Sequence, residues 1–491
     1  MRASKGGRLG LAVLLLAGFA ATEAVAAPVA PRLQVVAARD RVTVQRYGRD
    51  PVYLDLGVFV AAHDAPFELR AARSSYGEPV ALTQVLRAAD GSTSEVELPP
   101  ELLDGWNGLA GFVEVQATER GGAPIGSFVS TFCPGSYGRE RVSDDGPDQP
   151  SYPEGCYGNP FTKGVVWGID QGWAVTAVPY GGAALDLPDG TYRVTVAIAE
   201  RYAELFGVAP EDASVTVEVT VETVDGGCRR YCHAPHNRAA RRTPSSAPTT
   251  TSPDPVILPD LIALPAWQIT TEHRRRGDFL SFGSTVWVGG ASSLVVEGYR
   301  RHNSDVMDAF QYFYDDGEVV GRAPVGVLEY DARRGHDHWH FLQFARYALL
   351  DAATAEVVRS KKEAFCLAPT DPIDMTLPGA IWNPGTIGIG TACGGKGSLW
   401  VREVLPLGWG DTYFQSLPGQ SFNITSLPNG TYYILVEANP GGLLYEQSDA
   451  NNVELREVIL KGRPGRRRVI VPPWNGIDTE NGARGPVAPG H

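Results

Sequence analysis

The chain has 491 residues, a formal net charge of −13 at pH 7 and 43% hydrophobic residues. That length exceeds one ordinary domain and supplies material for two or three cores. The acidic balance argues against nucleic acid as a partner and mildly favours cationic substrates.

Residues 1–26 read as an export signal. Arg2, Lys5 and Arg8 precede an apolar run at 9–21, and Ala24-Val25-Ala26 offers a small-residue cleavage site. No later stretch approaches the ~20 apolar residues that a membrane span needs. The mature protein is therefore expected to be secreted or periplasmic, without a membrane span.

Short alternating or apolar runs follow at 42–45, 52–56, 192–196 and 215–219, and again at 279–282, 310–314 and 432–437. Pro-Asp-Gly at 188–190 and Pro-Asn-Gly at 428–430 supply turns, because Pro fixes φ and the next two residues tolerate left-handed backbone. No long segment sustains helical periodicity. The expected fold class is mostly β, with β-sandwich-like domains at 30–223 and 258–462. Between them, 224–257 is rich in Pro, Thr, Ser and Arg and reads as a disordered linker. From 463 to 491 the composition predicts a mobile basic tail.

The two halves also match each other in order. Leu187-Pro-Asp-Gly-Thr-Tyr192 parallels Leu427-Pro-Asn-Gly-Thr-Tyr432, Gly172-Trp173 parallels Gly408-Trp409, and Phe132-Cys133 parallels Phe365-Cys366. A diverged tandem duplication accounts for these matches. It favours the pairings Cys133–Cys156 and Cys366–Cys393, one internal bridge per copy, in an exported chain where disulfides are expected. Cys228 and Cys232 are left as a small local disulfide or, with His233 and His236, a weaker metal candidate.

Three of the nine histidines fall within five residues, at His336, His338 and His340. Imidazole is the commonest metal ligand, and alternate positions share one face of a strand. A fully extended strand would hold the outer two Cα atoms roughly 13 Å apart, so the segment has to bend. Spacing alone leaves zinc and copper both open.

Further motifs surround this run: Leu258-Pro-Asp-Leu261, Lys362-Glu-Ala-Phe-Cys-Leu367, Gly408-Trp-Gly-Asp-Thr-Tyr413 and Glu446-Gln-Ser-Asp-Ala-Asn-Asn452. In this order the second half, about 258–462, resembles the lysyl oxidase family. The resemblance implies that His336, His338 and His340 are copper ligands. It implies that Lys362 and Tyr413 become the lysine tyrosylquinone cofactor, with Asp411 as the base that takes the substrate's α-proton. The reaction it implies is oxidative deamination of a primary amine, peptidyl lysine or similar, by O2, giving an aldehyde, H2O2 and ammonia. It also implies a calcium site from Asp260, the Leu261 carbonyl, Glu446, Asn451 and Asn452. Ser448 stands where that motif expects an aspartate, and Arg346 stands where the family has a histidine.

Aligned on the shared motifs, the first half has Asp104, Trp106 and Gly108 against the three histidines, Val129 against Lys362 and Ala177 against Tyr413. Residues 30–223 are thus expected to be an inactive copy with a structural, docking or shielding role. Two other readings are a non-catalytic copper-binding protein and a three-histidine zinc hydrolase.

Overall fold

The computed structural model describes residues 28–47, 52–88, 90–178, 184–224, 244–250, 252–332, 337–360, 364–384 and 389–480. The export signal, Cys228, Cys232, His336 and Lys362 lie outside the described residues. The chain is mostly β, as expected.

The first half contains β1 (Arg32–Ala37), β2 (Arg41–Tyr47), β3 (Val52–Tyr53), β4 (Val58–His63) and β5 (Phe67–Ala72). It continues with β6 (Ala81–Arg87), β7 (Thr93–Leu98), β8 (Leu109–Glu119), β9 (Pro124–Phe132) and β10 (Arg139–Arg141). It ends with β11 (Gly164–Ile169), β12 (Trp173–Thr176), β13 (Ala184–Leu185), β14 (Gly190–Ile198), the helix α1 (Glu200–Phe206) and β15 (Ser214–Val224). The second half opens with β16 (Pro259–Ala263), β17 (Trp267–Arg274), β18 (Gly277–Gly290), β19 (Leu294–Arg300), β20 (Val306–Asp315) and β21 (Glu318–Asp331). Then come β22 (His338–Leu342), β23 (Ala345–Leu350), β24 (Glu356–Arg359), β25 (Ala364–Phe365), β26 (Asp371–Pro372) and β27 (Trp400–Leu405). The last are β28 (Trp409–Tyr413), β29 (Ser421–Asn423), β30 (Gly430–Ala438), β31 (Val453–Arg463) and β32 (Arg466–Ile470).

Three sheets in each half have corresponding strand orders. β1-β4-β12-β10 parallels β16-β18-β28-β26, and β11-β5-β6-β7 parallels β27-β19-β20-β21. In the third, β15-β14-β8-β9 parallels β31-β30-β23-β24. The fifth strand of that sheet differs: β2 lies parallel to β15, whereas β32 returns antiparallel on β31. The period-2 pattern that builds these sheets is plain in β14 and β30. Tyr192, Val194, Val196 and Ile198 are buried in one, and Tyr432, Ile434, Val436 and Ala438 in the other. Each tyrosine also donates its hydroxyl to the carbonyl four residues back, Pro188 at 2.7 Å and Pro428 at 3.0 Å. This pins the Pro-Asp-Gly and Pro-Asn-Gly turns to the strands that follow them.

The second half adds β22 and β25, which extend its sheet beyond β21. A short stretch then joins the sheet's two ends: Trp339 N–H donates to the Cys393 carbonyl at 2.9 Å, and Ala392 N–H to the Arg402 carbonyl at 2.7 Å. The disulfides Cys133–Cys156 and Cys366–Cys393 are both formed.

The halves share a core. Phe161 is fully buried with Leu264, Trp267, Trp287 and Ile373, and meets Trp267 and Trp474 edge to face. Tyr152 stacks on Trp382 at 5.6 Å. Backbone bonds join them too, from Lys163 N–H to the Ile373 carbonyl at 2.6 Å and from Met375 N–H to the Gly164 carbonyl at 2.8 Å.

Two expectations about disorder need correction. The presumed tail from 463 pairs as β32 and then seats Trp474 against Tyr76 and Phe161, because its apolar residues find cover in the shared core. Within the presumed linker, 244–250 is bound to the second half. Ser245 donates to Glu297 Oε1 at 2.7 Å and accepts from Arg402 Nη2 at 2.6 Å, completing a buried ion pair.

Candidate active site and its calcium-type neighbour

The histidine strand is short and preceded by a bend. Asp337 has φ 47°, a left-handed conformation that Asp tolerates, and Tyr330 donates its hydroxyl to the Asp337 carboxylate. A left-handed residue of this kind lets the chain change direction just before β22. Beyond it, His338 and His340 project from one face of β22 with ring centroids 4.5 Å apart. His340 is buried and His338 half-buried. On the opposite face Trp339 is fully buried and donates its indole N–H to the Gly395 carbonyl at 3.0 Å.

Tyr413 and Asp411 come from β28, every residue of which is buried. They stand two apart, so both face the same side. The Tyr413 hydroxyl donates to the Cys366 carbonyl at 3.3 Å, and its ring meets Phe365 edge to face at 4.8 Å. Phe365 in turn pairs with Phe341, the neighbour of His340. The ring contact of Tyr413 with Phe365 and the pairing of β25 with β22 together link the tyrosine to the histidine strand. Lys362 precedes β25 by two positions in sequence. Burial, and after it the Asp411 charge, raises the Tyr413 pKa well above its ordinary value, which keeps the ring a neutral phenol.

Two residues join this cluster that sequence reading did not single out. Glu403 is fully buried on β27, accepts from Leu367 N–H at 3.1 Å, and is pushed by burial well above the usual carboxylate range. Tyr347 on β23 is buried too, and burial likewise raises its pKa. The available signal was Arg402-Glu403, two adjacent charges in an otherwise apolar strand. One faces Glu297 and the other faces this cluster.

Arg346 lies elsewhere. It is adjacent to Tyr347 on β23 and so points to the other face, where it pairs with Glu437 at 2.5 Å and Glu356 at 3.0 Å.

The calcium-type residues do come together. Asp260 accepts from Asn451 Nδ2 at 2.7 Å and from Ser448 N–H at 3.0 Å. Glu446 accepts from Asn452 Nδ2 at 2.8 Å, from Asn439 Nδ2 at 2.6 Å and from Leu261 N–H at 3.2 Å. The Oδ1 atoms of Asn451 and Asn452 are buried with no hydrogen-bond partner among the described residues. Burial raises the Glu446 pKa. Two carboxylates and two unsatisfied amide oxygens are the all-oxygen set that suits calcium.

Residues 322–468 match the family model named lysyl oxidase. The C-terminal half carries a lysyl oxidase domain. The match spans β22, β28 and the Glu446–Asn452 loop, and so contains nearly all of the site described above. A comparison with curated protein sequences finds no match. Among the described residues, no helix is long and apolar enough to cross a membrane.

Proposed function

We propose that this lysyl oxidase domain is a copper-dependent amine oxidase that builds lysine tyrosylquinone from Lys362 and Tyr413 and acts on peptidyl lysine or another primary amine. The observation that carries the reading is the placement of Tyr413. Its hydroxyl rests on the Cys366 carbonyl, four positions along the chain from Lys362, while Asp411 shares its face and Phe365 of β25 connects it to the histidine strand.

His338 and His340, side by side on β22, fit an imidazole site for copper, with His336 as the third ligand. When bound, copper and the quinone supply the O2 chemistry and the electrophilic carbonyl that turn an amine into an aldehyde, H2O2 and ammonia. The protein's own residues orient the reaction. Cys366 fixes the tyrosine ring, the buried surroundings exclude water, and Asp411 takes the α-proton from the bound amine. Calcium at Asp260, Glu446, Asn451 and Asn452 ties β16 to the loop before β31. Secretion follows from the signal-like start and fits the two disulfides.

The matching strand orders support a duplication in which only the second copy acquired β22, the strand with the ligands. Residues 30–223 then serve as a docked, inactive partner. A zinc hydrolase has no need for the Lys362 and Tyr413 pair. Arg346 in place of the family's histidine would favour the non-catalytic copper reading if it faced the cluster, but it points to the other face.

The test is H2O2 release from copper-loaded protein with a primary amine. Wild type should turn over while Lys362→Arg and Tyr413→Phe are silent but still bind copper. Turnover in either variant, or none in copper-loaded wild type, overturns the assignment.

A further inference from the structure

The protein is acidic overall, yet one corner of it is strongly basic. β31 and β32 are joined by the two-residue loop Pro464-Gly465, where Gly465 takes φ 79° as the third residue of a tight turn. The register sets Lys461 opposite Arg468 and Arg463 opposite Arg466. Residues two apart share a face, so all four cations stand on one side of the ribbon, and all four are exposed. None of them forms an ion pair among the described residues. Arg467, on the other face, is held by Asn429 and the Gly462 carbonyl and serves the fold.

A second basic tip lies alongside. β17 and β18 are joined by Arg275-Arg276, both exposed. Gly465 N–H donates to Asp278 Oδ2 at 2.7 Å, and the Arg467 carbonyl accepts from Thr271, which fastens the two hairpins together. The nearby acids are already engaged: Glu272 pairs with Arg274 at 2.7 Å and Asp278 with His273 at 3.0 Å. On the ribbon's own face the nearest acid on β31 is Glu457, four positions before Lys461.

Like charges set directly opposite each other destabilise a sheet. The fold gains nothing from two such pairs in succession, whereas a bound polyanion relieves both. Along the ribbon Lys461 and Arg463 are spaced roughly 7 Å apart and the cross-strand partners about 5 Å, an open ladder. Such a ladder matches repeated anionic groups on an extended chain, and guanidinium forks suit sulfate and carboxylate. The tip residues Pro464 and Gly465 offer no aromatic or long aliphatic side chain to insert deeply into a lipid surface.

We propose that the paired tips, Arg275-Arg276 and Lys461/Arg463/Arg466/Arg468, are a docking surface for an extended anionic glycan bearing sulfate or carboxylate groups. The site is remote in sequence from the oxidase residues and does not depend on that reading. The probe is heparin, with the full chain. Wild type should bind at low ionic strength and be released by salt, although its net charge of −13 opposes any non-specific attraction. Replacing Lys461, Arg463, Arg466 and Arg468 with Gln should weaken binding roughly tenfold, four contacts each at the scale of an exposed ion pair. The same variant should melt no lower than wild type, since it removes only repulsion. A control with Arg39, Arg41, Arg120 and Arg193 replaced by Gln removes equal charge elsewhere and should bind as wild type does. Heparin binding that is absent in wild type, or unchanged in the first variant, overturns the proposal. So does binding to phosphatidylglycerol vesicles without binding to heparin, which would assign the surface to a membrane.

Discussion

Phe161→Ala tests whether the first half acts as a structural part of the second. Phe161 belongs to the first half by chain position, but it is fully buried among Leu264, Trp267, Trp287 and Ile373. Its ring meets Tyr76, Trp267 and Trp474, all edge to face. Truncating a buried Phe to Ala costs about 3–5 kcal/mol, the transfer of the lost ring atoms plus the cavity left behind. Here the cavity has rigid walls, two of them tryptophans, so about 4 kcal/mol is expected. That is a large share of the stability of an ordinary domain, about 5–15 kcal/mol. Guanidinium unfolding followed by tryptophan fluorescence reads it directly, since Trp267, Trp287 and Trp474 belong to the same cluster. The loss should also reach the site. The segment after Phe161 holds β26, through Thr162 Oγ1 to the Pro372 carbonyl at 2.8 Å, and β26 pairs with β28. Amide exchange at 410–413 should therefore quicken in the variant. A loss below about 1 kcal/mol would refute the shared core, given the cost of truncating a buried Phe. A transition confined to the first half, with exchange at β28 unchanged, would refute the coupling.

Glu403→Gln probes the buried acid. Its native pKa is raised above the usual 4.5, so the native state holds a proton that the unfolded chain releases. The stabilisation this gives is complete below that usual value and is lost as pH rises through the native pKa. Melting temperature should fall with rising pH in wild type, and the fall should be shallower in Glu403→Gln; parallel curves would show that Glu403 contributes nothing. Chelating calcium should lower the melting temperature, and Glu446→Gln should remove the sensitivity to chelator. An unchanged melt with and without chelator would leave the Asp260–Glu446 cluster as a hydrogen-bonded turn only.

Much of the fold could be read from local pattern. Alternation located β14 and β30, and the two Pro-Xaa-Gly turns marked where they begin. The repeated Phe-Cys and Gly-Trp steps anticipated both disulfides. What could not be read lay in contacts distant along the chain. Nothing local shows that Trp474 fills a space between Tyr76 and Phe161, or that Ser245 completes the Glu297–Arg402 pair. Composition therefore overstated the disorder at both 244–250 and 463–480. In the site, Asp411 and Tyr413 were legible as a motif. Glu403 was marked only as a charge next to Arg402 in an apolar strand, and its place beside Cys366, Cys393 and Leu367 comes from contacts distant along the chain. Arg346 shows the converse case: its position in a motif suggested a role at the site, but strand alternation turns it to the opposite face.

In the proposed mechanism Lys362 and Tyr413 are joined into one cofactor. Proteolysis of copper-loaded, aerated protein followed by mass spectrometry tests it most directly. One cross-linked species containing both residues is expected, absent when copper is withheld and absent in Lys362→Arg. Recovery of the two peptides separate and unmodified from the copper-loaded protein would contradict it.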